Sequence, residues 1–136
     1  MKALFVCKGN VGRSQIAEGL FNKISKTHKA ASAGTVAKDA GQKLSERASK
    51  NVRLMKEIGI DISNNKVKKL DEGMIESVDR VIIFCSRKSW PKYLLDSNKV
   101  EYWRSKDTKY MSYKERREFR DATGKRIEKF LEEVGK

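Results

Sequence analysis

Within residues 5–19, FVCKGNVGRSQIAEG, a cysteine closes an apolar run, an arginine follows six positions later, and a serine follows the arginine. Cys7 is a candidate nucleophile, since a thiolate attacks electrophilic centres that a neutral thiol does not. Arg13 carries a planar fork that can meet two oxygens of a phosphate-like anion at once. Between them stand Lys8, Gly9, Asn10, Val11 and Gly12. Gly9 and Gly12 can take positive φ at little steric cost, and Asn10 tolerates it better than most residues. A loop curled in this way turns the backbone N–H groups of residues 8–14 inward as a nest for an oxyanion. The start of the following helix adds its free N–H groups and its dipole. A thiol in that ring is expected to ionise near or below neutral pH. Ser14 has two roles open to it, donating its hydroxyl to the sulfur or capping the helix. The GxxxxGK[ST] pattern of a nucleotide loop is absent. The competing reading is an inert buried cysteine before an ordinary strand-to-helix turn. Cys-(any five)-Arg-Ser arises by chance in on the order of one chain in a hundred of this size. The flanking strand and helix tip the balance to an oxyanion site.

The elements that must position this loop follow from periodicity. Residues 2–6, KALFV, read as a buried strand. From Ser14 a helix places Ile16, Leu20, Phe21 and Ile24 at helical spacing. A short strand spans 30–33 and turns at Gly34. One helix is expected over 44–58, with Leu44, Ala48, Val52 and Met55 on one face and Gly59 as its stop. A weaker helix covers 71–77. RVIIFC, residues 80–85, is the clearest buried strand. A short helix over 90–95 holds Pro91 in its first turn. Residues 99–103 form a fourth strand. A long helix over 112–134 buries Phe119, Ile127, Phe130, Leu131 and Val134. Strands alternating with helices imply parallel crossovers. The expected fold is an open four-stranded parallel α/β sheet with helices on both faces. Ligands then sit at the carboxyl ends of the strands, where Cys7 falls.

The 136 residues fit a single domain spanning 1–136 that buries a core without disulfides or structural metal. Two cysteines, Cys7 and Cys85, are too few for a disulfide framework and lack the repeated spacing of a metal site. No apolar stretch approaches a membrane span, and MKALFVCKGN lacks the features of a signal peptide, so a cytoplasmic location with reduced thiols is expected. Lys and Arg number 31 against 18 Asp and Glu, a net charge of +13 that draws anions to the surface. No zinc-finger spacing, RNA-recognition sequence or basic heptad accompanies that charge, so nucleic acid is not the expected partner. His28 receives no role.

VCKGNVGRS resembles the signature of the low-molecular-weight protein tyrosine phosphatases, Cys-x-Gly-Asn-x-x-Arg-Ser near the N-terminus. The likeness continues through SAGT (32–35), LMKEIGIDIS (54–63) and VDRVIIFCS (78–86). The resemblance implies hydrolysis of phosphotyrosine-type esters through a phosphocysteine intermediate, with neither metal nor organic cofactor. It implies Cys7 as nucleophile, Arg13 as phosphate clamp, and Asn10 and Ser14 as supports of the loop and the thiolate. The family's proton donor is an Asp-Pro in a loop before the last helix. Here that loop is RSKDTKYMS, and Asp107 is its only acidic residue. Thr108 replaces the proline, so a less rigid loop is expected. The alternative for Asp107 is a surface aspartate balancing Lys106 and Lys109. Tyr110 is a further candidate for the pocket wall.

The chain is also similar to the arsenate reductases related to these phosphatases. Gln15 in RSQIAEG and the position of Cys85 after RVIIF lean that way. By that resemblance Cys85 is a resolving thiol, which would form a disulfide with Cys7. No cysteine follows Cys85 to relay it. An inert thiol at a strand end remains the other reading of Cys85. Gly12 stands where phosphatases often keep a second loop cysteine. Lys8 at the rim and the overall charge point to acidic or multiply phosphorylated substrates. A basic module that only holds phosphate groups is the non-catalytic alternative.

Overall fold

A computed structural model describes residues 1–135. Four parallel strands, β1 (Lys2–Cys7), β2 (Lys29–Gly34), β3 (Arg80–Ile83) and β4 (Val100–Tyr102), form one sheet in the order β2-β1-β3-β4. β1 is central, and its residues alternate between two buried faces. Ala3, Phe5 and Cys7 join one core layer, while Leu4 and Val6 join the other. That explains why the strand reads as unbroken apolar sequence. Helix α1 (Arg13–Ile24) and the long α6 (Tyr113–Val134) cover the first layer, together with α3 (Ser49–Lys56). The short α4 (Glu72–Glu76) and α5 (Lys92–Leu95) cover the second. Phe5, Phe21, Phe84, Trp103 and Phe130 meet edge-on, stacked or tilted at centroid distances of 5.8–6.3 Å. Each buried aromatic of this kind contributes about 1.5–3 kcal/mol.

Ser112 opens α6 with a capping box, its hydroxyl accepting from the Glu115 amide while the Glu115 carboxylate accepts from the Ser112 amide. The apolar stripe expected for this helix is buried or half-buried, and Arg120 and Thr123 join it.

Several expectations are corrected. The helix foreseen over 44–58 is broken at Ala48 (φ −146°, ψ 51°) into α2 (Leu44–Arg47) and α3. The cause is tertiary: the amides of Leu44 and Ser45 donate to the carbonyls of Asn65 and Ser63, which sets the direction of α2 separately. Pro91 stands just before α5 rather than in its first turn, and a 3-10 turn over Arg87–Ser89 precedes it. β3 ends at Ile83, so Cys85 lies beyond the ladder. Only Asn10 of the loop has positive φ (57°), whereas Gly9 and Gly12 do not. Those glycines therefore need another reason.

Candidate active site

The loop between β1 and α1 sits at the carboxyl end of the sheet, and its shape is held from several sides. Cys7 ends β1 beside Gly34 of β2. A methyl on Gly34 would come within 2.6 Å of the Lys8 carbonyl and 2.9 Å of the Asn10 amide, so only glycine admits the loop there. At Gly12 a methyl would collide with Thr108, at 2.1 Å from its Oγ1. Gly12 thus serves close approach, not a left-handed turn.

Asn10 is fully buried, and its side chain is satisfied at both ends. Its Nδ2 donates to Ser14 Oγ (2.8 Å) and Ser32 Oγ (3.0 Å). Its Oδ1 accepts from Gln15 Nε2 (3.0 Å) and the Lys68 amide (2.8 Å). These bonds hold the left-handed backbone that the residue adopts. They also bear on Ser14. Its Oγ lies 3.0 Å from Cys7 Sγ and already accepts from Asn10, so its one proton is free to point at sulfur. No side chain caps α1, which begins at Arg13. A second donor, the Asn10 amide, reaches the sulfur at 3.3 Å. The amides of Lys8, Gly9, Val11, Gly12 and Arg13 donate to no protein acceptor among the described residues.

Arg13 is 4% exposed. Its Nη1 donates to the carbonyls of Phe84 (3.1 Å) and Ser105 (2.7 Å), which fixes the guanidinium plane. Its Nη2 lies 3.7 Å from Asp107 Oδ2. Asp107 thus faces the loop rather than its neighbours. Lys106 pairs with Glu115 at 3.2 Å, and it is the Lys109 amide that donates to Asp107 Oδ1, at 3.1 Å. The Asp107 segment is tied at several points although it lacks the proline. Trp103 anchors its base in the core, the Ser105 carbonyl is held by Arg13, and buried Thr108 sits on Gly12 within a 3-10 turn, Thr108–Tyr110. Tyr110 is corrected: it is exposed, with Lys109 Nζ 5.0 Å over its ring, and does not line the cavity.

Cys85 is buried in the core layer on the opposite face of the sheet from that of Cys7. Burial pushes its thiol above the ordinary cysteine range, opposed by the Ser89 hydroxyl donating at 3.3 Å. Both cysteines are free. Sequence reasoning missed Asn51, which donates to the Val11 carbonyl (3.0 Å) and accepts from Arg116 (2.9 Å), because nothing in its local pattern marks it. It also missed Thr108 as a packing partner. Among the described residues no group of three or more His, Cys, Asp or Glu could hold a metal ion, and no helix is long and apolar enough to cross a membrane.

These features define a parallel α/β protein with a cysteine-to-arginine oxyanion loop at the head of its first helix. The profile of the low molecular weight phosphotyrosine protein phosphatases matches residues 2–136, and the chain belongs to that family of enzymes. It is 35% identical over 130 residues to arsenate reductase 1 of Staphylococcus haemolyticus, covering 94% of this chain and 92% of the relative. The crystal structure of a low molecular weight protein tyrosine phosphatase from T. tengcongensis superimposes with a TM-score of 0.82 at 28% identity, covering 98% and 99% of the two chains. An arsenate reductase solved in its phosphate-binding state gives the same TM-score at 25% identity, with 98% of each chain covered. The fold is therefore shared by both activities.

Proposed function

We propose that the chain hydrolyses phosphotyrosine-type phosphomonoesters through a phosphocysteine. The Cys7 thiolate attacks phosphorus while the bond to the leaving oxygen breaks and Asp107 delivers a proton to that oxygen. Asp107, now a carboxylate, takes a proton from water as the water oxygen attacks phosphorus. The P–S bond then breaks, and the Ser14 hydroxyl stabilises the returning thiolate. Arg13 and the inward amides of residues 8–14 hold the phosphoryl oxygens, whose charge they are placed to neutralise. The scheme requires no metal or organic cofactor. The observation that carries it is Asp107 Oδ2 at 3.7 Å from the fixed guanidinium of Arg13, on the wall of the cavity that holds Cys7. Hydrolysis needs a carboxyl there twice, as acid for the leaving oxygen and then as base for the attacking water. Turnover of p-nitrophenyl phosphate that is lost in Cys7→Ser and insensitive to a chelator is the expected result.

The curated relatives favour a second reading, arsenate reduction. Cys7 would attack arsenate with loss of water. Cys85 would then attack the Cys7 sulfur, releasing arsenite as the two thiols become a disulfide, and an external dithiol would reduce it. Cys85 faces that role as a buried thiol in the other core layer, with no later cysteine in the chain. Thiol-dependent arsenite release that vanishes in Cys85→Ala would establish this reading. Phosphate binding with neither turnover would leave a non-catalytic oxyanion-binding module.

A further inference from the structure

The cavity beside Cys7 measures about 440 Å³, and no aromatic side chain lines it among the described residues. The apolar surface open to an aryl group is aliphatic, from Val11, Val36 and Ala48. The rest of the wall is rich in charge. Lys8, Lys38, Lys50, Lys109 and Arg116 line the cavity without a carboxylate partner among the described residues. Of the two carboxylates on the wall, Asp39 pairs with Arg47 at 3.2 Å and Asp107 stands 3.7 Å from Arg13. A phosphomonoester is met by Arg13 and the loop amides, which leaves five cations for something else.

Two of these five, Lys50 and Arg116, also line an adjoining cavity together. Arg116 is oriented by its bond to Asn51 Oδ1 (2.9 Å), and Asn51 in turn holds the Val11 carbonyl. The break at Ala48 brings the start of α3, with exposed Lys50, onto the same wall. No side chain caps α3, and its first turn carries no acidic residue.

We infer that the substrate bears a second anionic group, phosphate or carboxylate, close to the scissile phosphate, and that Lys50 and Arg116 receive it. This inference rests on the phosphatase reading for its chemistry but has its own readout in binding.

The test compares kcat/KM for 1,2-phenylene bisphosphate with that for phenyl phosphate. A parallel arm compares a phosphotyrosine peptide flanked by glutamates with one flanked by alanines. In at least one arm the dianionic-neighbour substrate is expected to be preferred by about tenfold at low salt, and the preference should shrink as salt rises. Lys50→Glu, and Lys50→Glu with Arg116→Gln, are expected to erase it. The arm that responds tells whether a small molecule or a protein supplies the second anion. Ratios near one in both arms, or ratios unchanged in the variants, overturn the proposal while hydrolysis stands. If nothing is turned over, the phosphatase reading fails, and calorimetry on Cys7→Ser protein decides the subsite. There, phenylene bisphosphonate binding about tenfold tighter than phenylphosphonate and dependent on Lys50 is expected. Equal affinities overturn it.

Discussion

Gly12→Ala tests how the loop and the Asp107 segment are coupled. The added methyl would stand 2.1 Å from Thr108 Oγ1, 3.0 Å from its Cγ2 and 3.1 Å from its Cβ, where ordinary contact begins at 3.4 Å. Thr108 must therefore retreat by roughly 1.3 Å. It is 3% exposed and branched at Cβ, so it cannot rotate away freely. Overpacking of this sort costs about 1–3 kcal/mol. Asp107 precedes Thr108 and caps its 3-10 turn, so the carboxylate moves with it. Displacing a reacting group by about 1 Å can lower rate by on the order of 10²-fold. The expected result with p-nitrophenyl phosphate is a fall in kcat of about that size with KM little changed. Thermal melts should drop by several degrees. Thr108→Gly removes all three clashing atoms, so the double variant should regain most of the lost stability, with a coupling of about 1–3 kcal/mol. A kcat within about twofold of the parent for Gly12→Ala, or a double variant that merely sums the two losses, would refute the coupling.

Asp107→Asn is expected to lower kcat by about 10²–10⁴-fold while inhibition by inorganic phosphate stays near the parent value; normal turnover would remove Asp107 from proton transfer. Iodoacetamide near neutral pH is expected to label Cys7, which lines the cavity, and to spare Cys85, which does not line it and whose thiol burial pushes above the ordinary range; peptide mass spectrometry reads the difference. Glu57 ties the end of α3 to α6 through Arg117 (2.9 Å), Arg120 (2.8 Å) and Tyr113 (2.9 Å), and the hydrogen bonds from Arg117, Arg120 and Tyr113 lower its pKa from 4.5 to about 2. Its folded pKa is depressed, so its stabilisation is present above pH 4.5 and disappears as pH falls through about 2. The melting-temperature gap between the parent and Glu57→Gln should therefore be level at neutral pH and close across that acid window.

The oxyanion loop could be read from sequence because its determinants are local. A strand with both faces buried, a short run of small and polar residues and a helix start are all written within residues 2–24. The sheet followed from apolar runs separated by helical spacing. What stayed hidden depends on contacts between distant segments. Leu44, Ala48, Val52 and Met55 keep helical spacing across a helix that is actually broken, since the break comes from bonds to residues 63 and 65. Gly12 looked like a turn glycine, yet its reason is a threonine 96 positions later. Asn51 supports the loop from α3 with a side chain whose local sequence carries no sign of that duty.

Asn10 bridges Ser14, Ser32, Gln15 and the 68 amide, so the oxyanion socket is tensioned by the protein's own framework and owes nothing to its guest. On the proposed reading, a receptacle so preset would admit tetrahedral anions of about the right size with little remodelling. Discrimination between phosphorus and arsenic chemistry would then pass from capture to the neighbour that acts next, a carboxylate at the mouth or a second sulfur in the other core layer.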